Sequence, residues 1–309
     1  MTARFTVAVC TRNRSDVLTL CLDALAASLD AVPDGPPVPV IVVDNASTDT
    51  TRTTAEASAG RLALRVIGEP RLGLSHARNA ALAACETEFL VYLDDDAKPL
   101  AGWAAAIADG IERHVPDVFG GPYRPFYLQP KPLWLDDALG SAHLDLTEGR
   151  LDGECLSGGN MGWRTDLLRD LGGFSPALGM VGGQLRLGEE TQLQKQIYAE
   201  RPEARIVFLP AMEMLHLVAP VKMRARYWWR RAWDYGWRLA EIAPDDPIAS
   251  MPAWRVVAET RLGLPLALRL VARDRQQYPT WRAFSVAYGS RAAILWGALA
   301  RRWTTPASP

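Results

Sequence analysis

The sequence predicts an α/β fold in which a mostly parallel sheet is flanked by helices and followed by a C-terminal helical extension. Short apolar runs alternate with helical patterns at a spacing of roughly 20–35 residues, as in βαβ units. Polar clusters directly follow three of these runs, as expected where strands of an open sheet end at a binding crevice. After Pro220 the alternation gives way to long helical segments rich in arginine and tryptophan.

The first hundred residues carry the clearest alternation. We predict four strands, at Phe5–Cys10, Val40–Val43, Leu62–Ile67 and Phe89–Leu93. Between and after them we predict a helix capped by Ser15, a polar helix capped by Ser47 or Thr48, an alanine-rich helix at Ser75–Cys85 and a helix from about Ala101 to Arg113. Because βαβ crossovers are right-handed, these helices should cover both faces of the sheet.

The next hundred residues are less regular. We predict strands at Val118–Tyr123 and Arg205–Leu209, a helix at Leu193–Ala199, an irregular segment at Gly120–Trp134, and glycine-rich loops at Leu156–Asp166 and Gly179–Glu190. A domain boundary near residue 220 would separate an α/β domain over residues 1–220 from a helical region rich in arginine and tryptophan over residues 221–309.

The composition excludes several classes of protein. The 309 residues are 49% hydrophobic and 22% charged with a formal net charge of −1, which disfavours a disordered chain and a dedicated nucleic-acid-binding protein. The four cysteines lack CxxC spacing and are too few for a disulfide scaffold, so they fit a reducing cytoplasm. We recognise neither a signal peptide nor an apolar run of about 18 residues that would span a membrane.

The run Asp94–Asp96 is the sharpest chemical feature of the sequence. Three adjacent carboxylates repel one another unless a cation neutralises them, and they directly follow a buried-looking strand. In an extended backbone Asp94 and Asp96 point to one side and Asp95 to the other. An all-oxygen site suits Mg²⁺ or Mn²⁺ shared with substrate phosphates. The alternative is a solvated acidic turn.

Two other polar residues allow more than one interpretation. Asp44 follows the second strand, where an aspartate serves either as a helix cap or as a ligand of a ribose. Arg78 lies on the alanine-rich helix, where it could face a phosphate or a base, or form a surface salt bridge.

Six segments, in this order, resemble the family 2 glycosyltransferases with a GT-A fold. The first four are CTRNR, VVDNASTDT, RLGLSHARNAAL and VYLDDDAKP. Ser157–Phe174 then resembles the acceptor-side Gly-Gly-Asn segment of the family, and Gly188–Ile197 resembles its Glu-Asp motif. The resemblance covers about Phe5–His216, roughly the first two-thirds of the chain.

The resemblance implies a GT-A-type, Rossmann-like domain with a nucleotide-sugar-binding half over residues 1–100 and an acceptor-binding half over residues 101–220. It implies an inverting, metal-dependent enzyme of the hexosyltransferase type that uses Mn²⁺ or Mg²⁺. The enzyme would move a sugar from a nucleoside diphosphate donor, with a lean to UDP, to a hydroxyl of a glycan, lipid-linked or natural-product acceptor. A carboxylate base would activate this hydroxyl.

The resemblance also assigns roles to residues of this chain. The nucleotide-sugar would contact Thr11, Arg14, Asp44, Arg78, Asp94 and Asp95. The metal would be held by Asp96 and Asp94, with His216 completing the site, touching the diphosphate or serving a structural role. Gly159 and Asn160 would lie beside the acceptor and the donor sugar. The base would be Glu190, which replaces the aspartate of the family motif, with Glu189 as the rival; the alternative for both is a favourable interaction with the dipole of the following helix.

Two other functions would also use such a fold. A nucleotidyltransferase would carry a glycine-rich phosphate loop after the first strand, whereas this chain has Thr11, Arg12, Asn13 and Arg14 there. A non-catalytic nucleotide-sugar-binding protein of the same fold is disfavoured by the intact acidic run and by Glu189–Glu190.

Lys222–Arg238 carries six basic residues, one acidic residue and four tryptophans. This mixture suits an anionic membrane surface, a pyrophosphate-bearing acceptor or nucleic acid, whereas the plainer interpretation is an amphipathic helix that packs its tryptophans on the catalytic domain. We predict a cytoplasmic protein without a nucleic-acid partner that contacts the inner face of the membrane peripherally through residues 222–238.

Overall fold

The structure is a computed structural model that describes residues 2–32, 35–178, 188–242, 246–261 and 280–304. The chain divides into two compact units. Unit 1 consists of Met1–Phe126 and Ser141–Leu217, and unit 2 of Tyr127–Gly140 and Val218–Pro309. The segment 127–140 therefore groups with the C-terminal region, although it lies inside the α/β part of the sequence.

Unit 1 contains two sheets. In chain order the strands are β1 Phe5–Thr11, β2 Val40–Asp44, β3 Leu64–Gly68, β4 Phe89–Asp94, β5 Ala97–Pro99, β6 Val118–Gly120, β7 Tyr123–Phe126, β8 Gly149–Arg150, β9 Asn160–Arg164, β10 Ile206–Phe208 and β11 Met214–Leu217. The large sheet has the order β3-β2-β1-β4-β9-β6-β10-β8, and the small one β5-β11-β7. In the large sheet β1, β2, β3 and β4 pair in parallel, as do β6 and β10, whereas β8 and β9 are antiparallel to their neighbours.

Among the described residues of unit 1, six α-helices accompany these sheets. They are α1 Ser15–Asp30, α2 Thr51–Ala57, α3 Leu74–Ala84, α4 Trp103–His114, α5 Thr165–Asp170 and α6 Glu189–Glu200. Alternate side chains of β1 bury on opposite faces, so that Val7 and Val9 join one apolar cluster and Ala8 joins another. The first cluster includes side chains of α1 and α4, and the second includes side chains of α3, α5 and α6. The prediction of a mostly parallel sheet covered on both faces is confirmed.

Unit 2 is helical. It contains α7 Ala225–Ile242, a helical segment at 253–261 and the C-terminal helix Trp281–Thr304. The helix α7 and the C-terminal helix approach closely, because a Cβ added at Gly236 would lie 2.1 Å from the carbonyl oxygen of Ile294. Across the described ranges, no helix has both the length and the apolar character needed to cross a bilayer.

The predicted helix caps are wrong. Helix α1 begins at Ser15 and α2 at Thr51, and neither has a side-chain cap. The hydroxyls of Ser47 and of Thr51, the first residue of α2, instead stabilise the loop after β1. Ser47 Oγ accepts the N–H of Asn13, and Thr51 Oγ1 accepts the N–H of Arg14.

One strand prediction and one loop prediction are also wrong. Val118–Tyr123 is not one strand, because β6 ends at Gly120 and the chain enters the small sheet at Tyr123. A Cβ at Gly121 would lie 2.0 Å from the carbonyl oxygen of Met212, so the backbones press together where the chain changes sheet. The supposed loop Leu156–Asp166 contains β9, a central strand between β4 and β6. Of the other expected loop, Gly179–Glu190, residues 179–187 lie outside the described residues, and α6 begins at Glu189.

Candidate functional site

Strand register brings the first polar residues together. In the parallel pairing of β1 with its two neighbours, Thr11 lies beside Asp44 and Cys10 beside Asp94. These three strands therefore end at the same edge of the large sheet, as parallel strands in an open sheet do at a binding crevice. Residues more than 80 positions apart in sequence become neighbours in this way.

The three carboxylates of the acidic run divide between two directions. Asp94 ends β4, and Asp95 and Asp96 form the turn into β5. Nε2 of His216 lies 3.2 Å from Oδ1 of Asp96 and 3.8 Å from Oδ2 of Asp94. Asp95 points elsewhere, because its Oδ2 accepts a 2.7 Å hydrogen bond from the hydroxyl of Thr11. The alternation expected of an extended strand thus persists through the turn.

Two of the three carboxylates of the acidic run are buried. Asp95 and Asp96 are 8% and 7% exposed, whereas the side chain of Asp94 is 37% exposed, so a solvated acidic turn does not describe Asp95 and Asp96. Burial raises the pKa of the Asp95 carboxyl to about 7, although the nearby charge of Arg14 acts in the opposite direction. Nη1 of Arg14 lies 3.1 Å from Oδ2 of Asp96 and supplies part of the positive charge that this cluster needs.

Asp94, Asp96 and His216 form a donor set that fits a divalent cation. One ligating atom from each lies within 4.8 Å of the other two. Two carboxylates and an imidazole are ligands that Mn²⁺ accepts readily, whereas an oxygen-only set would fit Mg²⁺ better. The small sheet provides the imidazole, because register places His216 of β11 beside Ala97 of β5.

The sequence did not indicate that Tyr123 belongs beside this group. Its ring centroid lies 5.2 Å from that of His216. Tyr123 is the first residue of β7, which pairs with β11. Only the pairing of these two short strands connects the residues, and no local pattern in the sequence would have suggested it.

Gly159 lies against the acidic run. Its carbonyl oxygen accepts the N–H of Asp94 at 3.0 Å. A Cβ added at Gly159 would lie 2.1 Å from Oδ2 of Asp94, so that only glycine leaves room for this carboxylate conformation. The turn before β9 therefore helps to set the position of Asp94.

The side-chain amide of Asn160 forms its hydrogen bonds within the protein. Its side chain is 1% exposed, and its Oδ1 accepts a 2.8 Å hydrogen bond from Nε1 of Trp103. Its Nδ2 donates to the carbonyl oxygens of Pro122 and Met212. The amide that the sequence assigned to the sugar side thus joins α4 to two backbone segments and has no exposed surface to offer a ligand.

Asp44 and Asn45 shape the edge beyond β2. Asp44 is 9% exposed, and its Oδ1 accepts the N–H of Ser47 at 3.0 Å. The amide of Asn45 donates to the carbonyl oxygens of Glu69 and Arg71 and accepts the N–H of Gly73. Asn45 therefore fixes the loop that leads into α3, the helix that carries Arg78.

Arg78 is buried and pairs with the first of the two glutamates. Its Nη1 lies 2.9 Å from Oε1 of Glu189, and both side chains are 5% exposed. The guanidinium also lies over the rings of Tyr92 and Phe174, at 5.7 and 5.2 Å from their centroids. Neither the surface salt bridge nor the open phosphate contact considered from the sequence describes this arrangement.

The two glutamates at the start of α6 have different surroundings. Burial raises the pKa of Glu189 to about 7, because loss of solvent outweighs the attraction of Arg78 and the adjacent Glu190 acts with it. Glu190 is half-buried. Within the part of the chain that the structure describes, Oε2 of Glu190 is buried and has no hydrogen-bond partner. One carboxylate is thus held in an ion pair, whereas the other retains a free acceptor atom.

Gln194, to which the sequence assigned no role, joins the helix of these glutamates to the segment before Gly159. Its side-chain oxygen accepts the N–H of Leu156, and its amide nitrogen donates to the carbonyl oxygen of Leu156. This reciprocal pair ties α6 to the segment that leads to Gly159. A signal was present, because Gln194 interrupts the apolar face formed by Leu193 and Ile197.

A family model described as glycosyl transferase family 2 matches residues 6–172, more than half of the chain. The match begins in β1 and includes the acidic run, Gly159 and Asn160, and it ends before α6. A search of curated proteins found no significant match.

Several solved structures share the fold. A mannosyltransferase from Pyrobaculum calidifontis, PcManGT, in complex with GDP-Man and Mn²⁺, has a TM-score of 0.66 at 19% identity, over 97% of this chain and 87% of that one. S. aureus TarS 1-349 in complex with UDP has a TM-score of 0.55 at 19% identity, over 99% and 93% of the two chains. GalNAc-T7 with UDP, GalNAc and Mn²⁺ has a TM-score of 0.53 at 15% identity, over 76% of this chain and 50% of that one. At these identities the likeness is one of fold.

Proposed function

Because the chain is a glycosyltransferase of family 2, we propose that it transfers a sugar, with inversion, from a nucleoside diphosphate donor to a hydroxyl of an acceptor. One observation carries this proposal: the acidic run and helix α6 are both connected to the same turn, Gly158–Gly159. Asp94 packs against Gly159. Arg78 packs against Gly158 and forms the ion pair with Glu189 of α6. The groups that bind the donor diphosphate and the carboxylate that acts as the base would then be adjacent.

We assign the donor to the edge formed by β1, β2 and β4. Asp44 would hold the base or ribose, and Thr11, Arg14, Asp94 and Asp95 would surround the rest of the nucleotide. The sequence resemblance favours UDP as the nucleotide. The solved structures that share the fold contain GDP-Man in one case and UDP in others, which supports a nucleoside diphosphate and leaves its base to experiment.

Asp94, Asp96 and His216 would hold a divalent cation, and their two carboxylates and one imidazole fit Mn²⁺. When bound, this cation would offset the negative charge that develops on the departing diphosphate. Arg14 lies against Asp96 from the other side and would hold that carboxylate in place.

Glu190 would be the general base. A base must present an acceptor atom to the attacking hydroxyl, and Oε2 of Glu190 makes no hydrogen bond within the described residues. Glu189 is already paired with Arg78, so it would position α6 and leave proton transfer to Glu190. Inversion further requires that the acceptor oxygen, within hydrogen-bond reach of Glu190, attack the anomeric carbon from the side opposite the C–O bond to the diphosphate, which breaks as the diphosphate departs.

The acceptor would be a hydroxyl of a glycan, of a lipid-linked sugar or of a natural product. We also propose that residues 222–238 contact a membrane peripherally, which would keep the enzyme close to an acceptor carried by lipid. Gly159 would lie beside the donor sugar, whereas Asn160 would act only through its hydrogen bonds to Trp103 and to the backbone.

Calorimetry with UDP and GDP, each with and without Mn²⁺, tests the donor site. We expect one nucleotide to bind more tightly with Mn²⁺ and Asp96→Asn to abolish that gain. Asp152→Asn is the matched control, because Asp152 is a 90% exposed aspartate of unit 1. Nucleotide affinity that is unchanged by Mn²⁺ and by Asp96→Asn would refute the proposed site. Nucleotide release from the matching nucleotide-sugar then reports turnover without a known acceptor.

A further inference from the structure

Beyond a general membrane contact, we infer that one face of α7 in unit 2 binds the headgroups of anionic phospholipids at a bilayer surface. This face consists of Arg226, Trp229, Arg230 and Trp233. It lies wholly in unit 2, so its lipid binding does not depend on the transfer chemistry proposed for unit 1.

The four residues form one face of the helix because they follow the spacing i, i+3, i+4 and i+7. All four are exposed, and the two tryptophans are each 39% exposed. A different face of α7 is buried. Trp228 belongs to an apolar cluster that contains Trp134 and Val286, and Ala232, Gly236 and Leu239 are also buried.

Trp229 is anchored although it is exposed. Its Nε1 donates to the carbonyl oxygen of Ser285 at 3.0 Å, and its ring packs against Gly289, where a Cβ would lie 2.6 Å from the same nitrogen. The ring is therefore fixed at the surface of unit 2 with part of its apolar area in water. An indole ring in this arrangement is suited to the interface between headgroups and acyl chains.

The arginines on this face carry uncompensated charge. Among the described residues, neither Arg226 nor Arg230 forms an ion pair, whereas most arginines of unit 1 do. Asp234 is the single acidic residue between positions 222 and 238; it lies four residues after Arg230, at the edge of this face, and the two form no ion pair. Such a face attracts an anionic surface, with each arginine contributing to the attraction.

The combination of charge and indole rings favours a bilayer over other occupants. A polyanion without bases, such as heparin, would use the arginines but gain little from the tryptophans, and an apolar protein partner would leave the arginines unpaired. A single-stranded RNA could stack its bases on the tryptophans, so competition by RNA is one outcome of the test below. A bilayer of anionic lipid satisfies both groups at once, because phosphate and acyl chain lie within one side chain's length of each other. No described helix can span a membrane, so the contact is one at the surface.

Sedimentation of the full chain with vesicles tests this assignment. We expect binding to vesicles of phosphatidylcholine with phosphatidylglycerol, weak binding to phosphatidylcholine alone, and loss of the difference at high salt. The double variant Arg226→Gln/Arg230→Gln should lower the partition coefficient about 30-fold, taking about 1 kcal/mol for each basic residue near the surface. The matched control, Arg52→Gln/Arg65→Gln, removes two exposed arginines of unit 1 and should change little.

Circular dichroism would establish that each variant is folded. If a variant does not fold, the salt dependence and the lipid selectivity of the unaltered chain still decide the matter. Equal binding to both kinds of vesicle would overturn the assignment, as would no binding to either. An equal loss of vesicle binding in the two double variants would also overturn it. So would the release of the chain from the vesicles by RNA or heparin at the same total negative charge.

Discussion

The guanidinium of Arg78 lies 2.9 Å from the carboxylate of Glu189, and the two residues are 111 positions apart in the sequence. Arg78 belongs to α3, beside the proposed nucleotide edge, whereas Glu189 is the first residue of α6, beside the proposed base. This buried pair therefore links the two parts of the candidate active site.

Removing Arg78 should destabilise the protein strongly. Arg78→Met would leave the carboxylate of Glu189 buried and unpaired, which costs about 3–5 kcal/mol of unfolding free energy. The measurement is urea denaturation at about pH 8.5, where Glu189 is ionised. Arg65→Met, at an exposed arginine, should cost no more than about 0.5 kcal/mol.

The cost should shrink when both members of the pair are removed. Arg78→Met/Glu189→Gln leaves no buried charge, so its loss should be well below the sum of the two single losses. Strictly additive losses would mean that the two side chains do not interact as the structure places them.

The stability of the protein should depend on pH through Glu189. Because burial raises the pKa of Glu189 from 4.5 to about 7, the folded state binds a proton that the unfolded state releases. This contribution is complete below about pH 4.5 and is lost as the pH rises through about 7. Relative to Glu189→Gln, the unaltered protein should lose on the order of 1–3 kcal/mol between about pH 5 and pH 8. Parallel stability curves for the two proteins would contradict this origin.

The two glutamates should separate in kinetics. Glu190→Gln should lower nucleotide release from the nucleotide-sugar by about 10²–10⁴-fold and leave nucleotide affinity unchanged, because it removes only the proton acceptor. Glu190→Asp, which restores the aspartate of the family motif, should retain part of the activity. If Glu190→Gln is fully active while Glu189→Gln is inactive, the base assignment is reversed.

A methyl group at Gly159 should disturb the metal site. The Cβ of Gly159→Ala would lie 2.1 Å from Oδ2 of Asp94, so the carboxylate has to move. We expect Mn²⁺-dependent nucleotide binding to weaken by about tenfold or more, since a displacement of an active-site group by about 1 Å can cost 10²-fold. Gly102→Ala is the matched control, because a Cβ there meets no atom within 4 Å. Equal nucleotide affinity in both variants would show that Asp94 is not held by this turn.

Much of unit 1 could be predicted from local sequence. The alternation of apolar runs with helical patterns indicated β1 to β4 and the helices between them, because side-chain periodicity follows the geometry of each element. Because parallel strands end at one edge of a sheet, the sequence also predicted that Thr11, Asp44 and Asp94 lie close together. The structure adds the register that makes these residues neighbours.

Local patterns misled where residues serve distant neighbours. The glycines of the segment before and within β9 suggested a loop, yet Gly159 makes room for Asp94 and Gly162 for the ring of Phe119. The hydroxyl of Ser47 suggested a helix cap, yet it accepts the N–H of Asn13 in the loop after β1. In each case the residue type is explained by a contact with a residue that is remote in the sequence.

Local periodicity and the chemistry of adjacent residues are enough to predict the α/β architecture, the edge at which polar groups gather and the acidic run. The pairing of Arg78 with Glu189, the position of His216 beside Asp94 and Asp96, and the hydrogen bonds that occupy Asn160 become visible only in the folded chain. These contacts depend on how strands far apart in the chain pair and on how much solvent the packing leaves, and neither is encoded within a single segment.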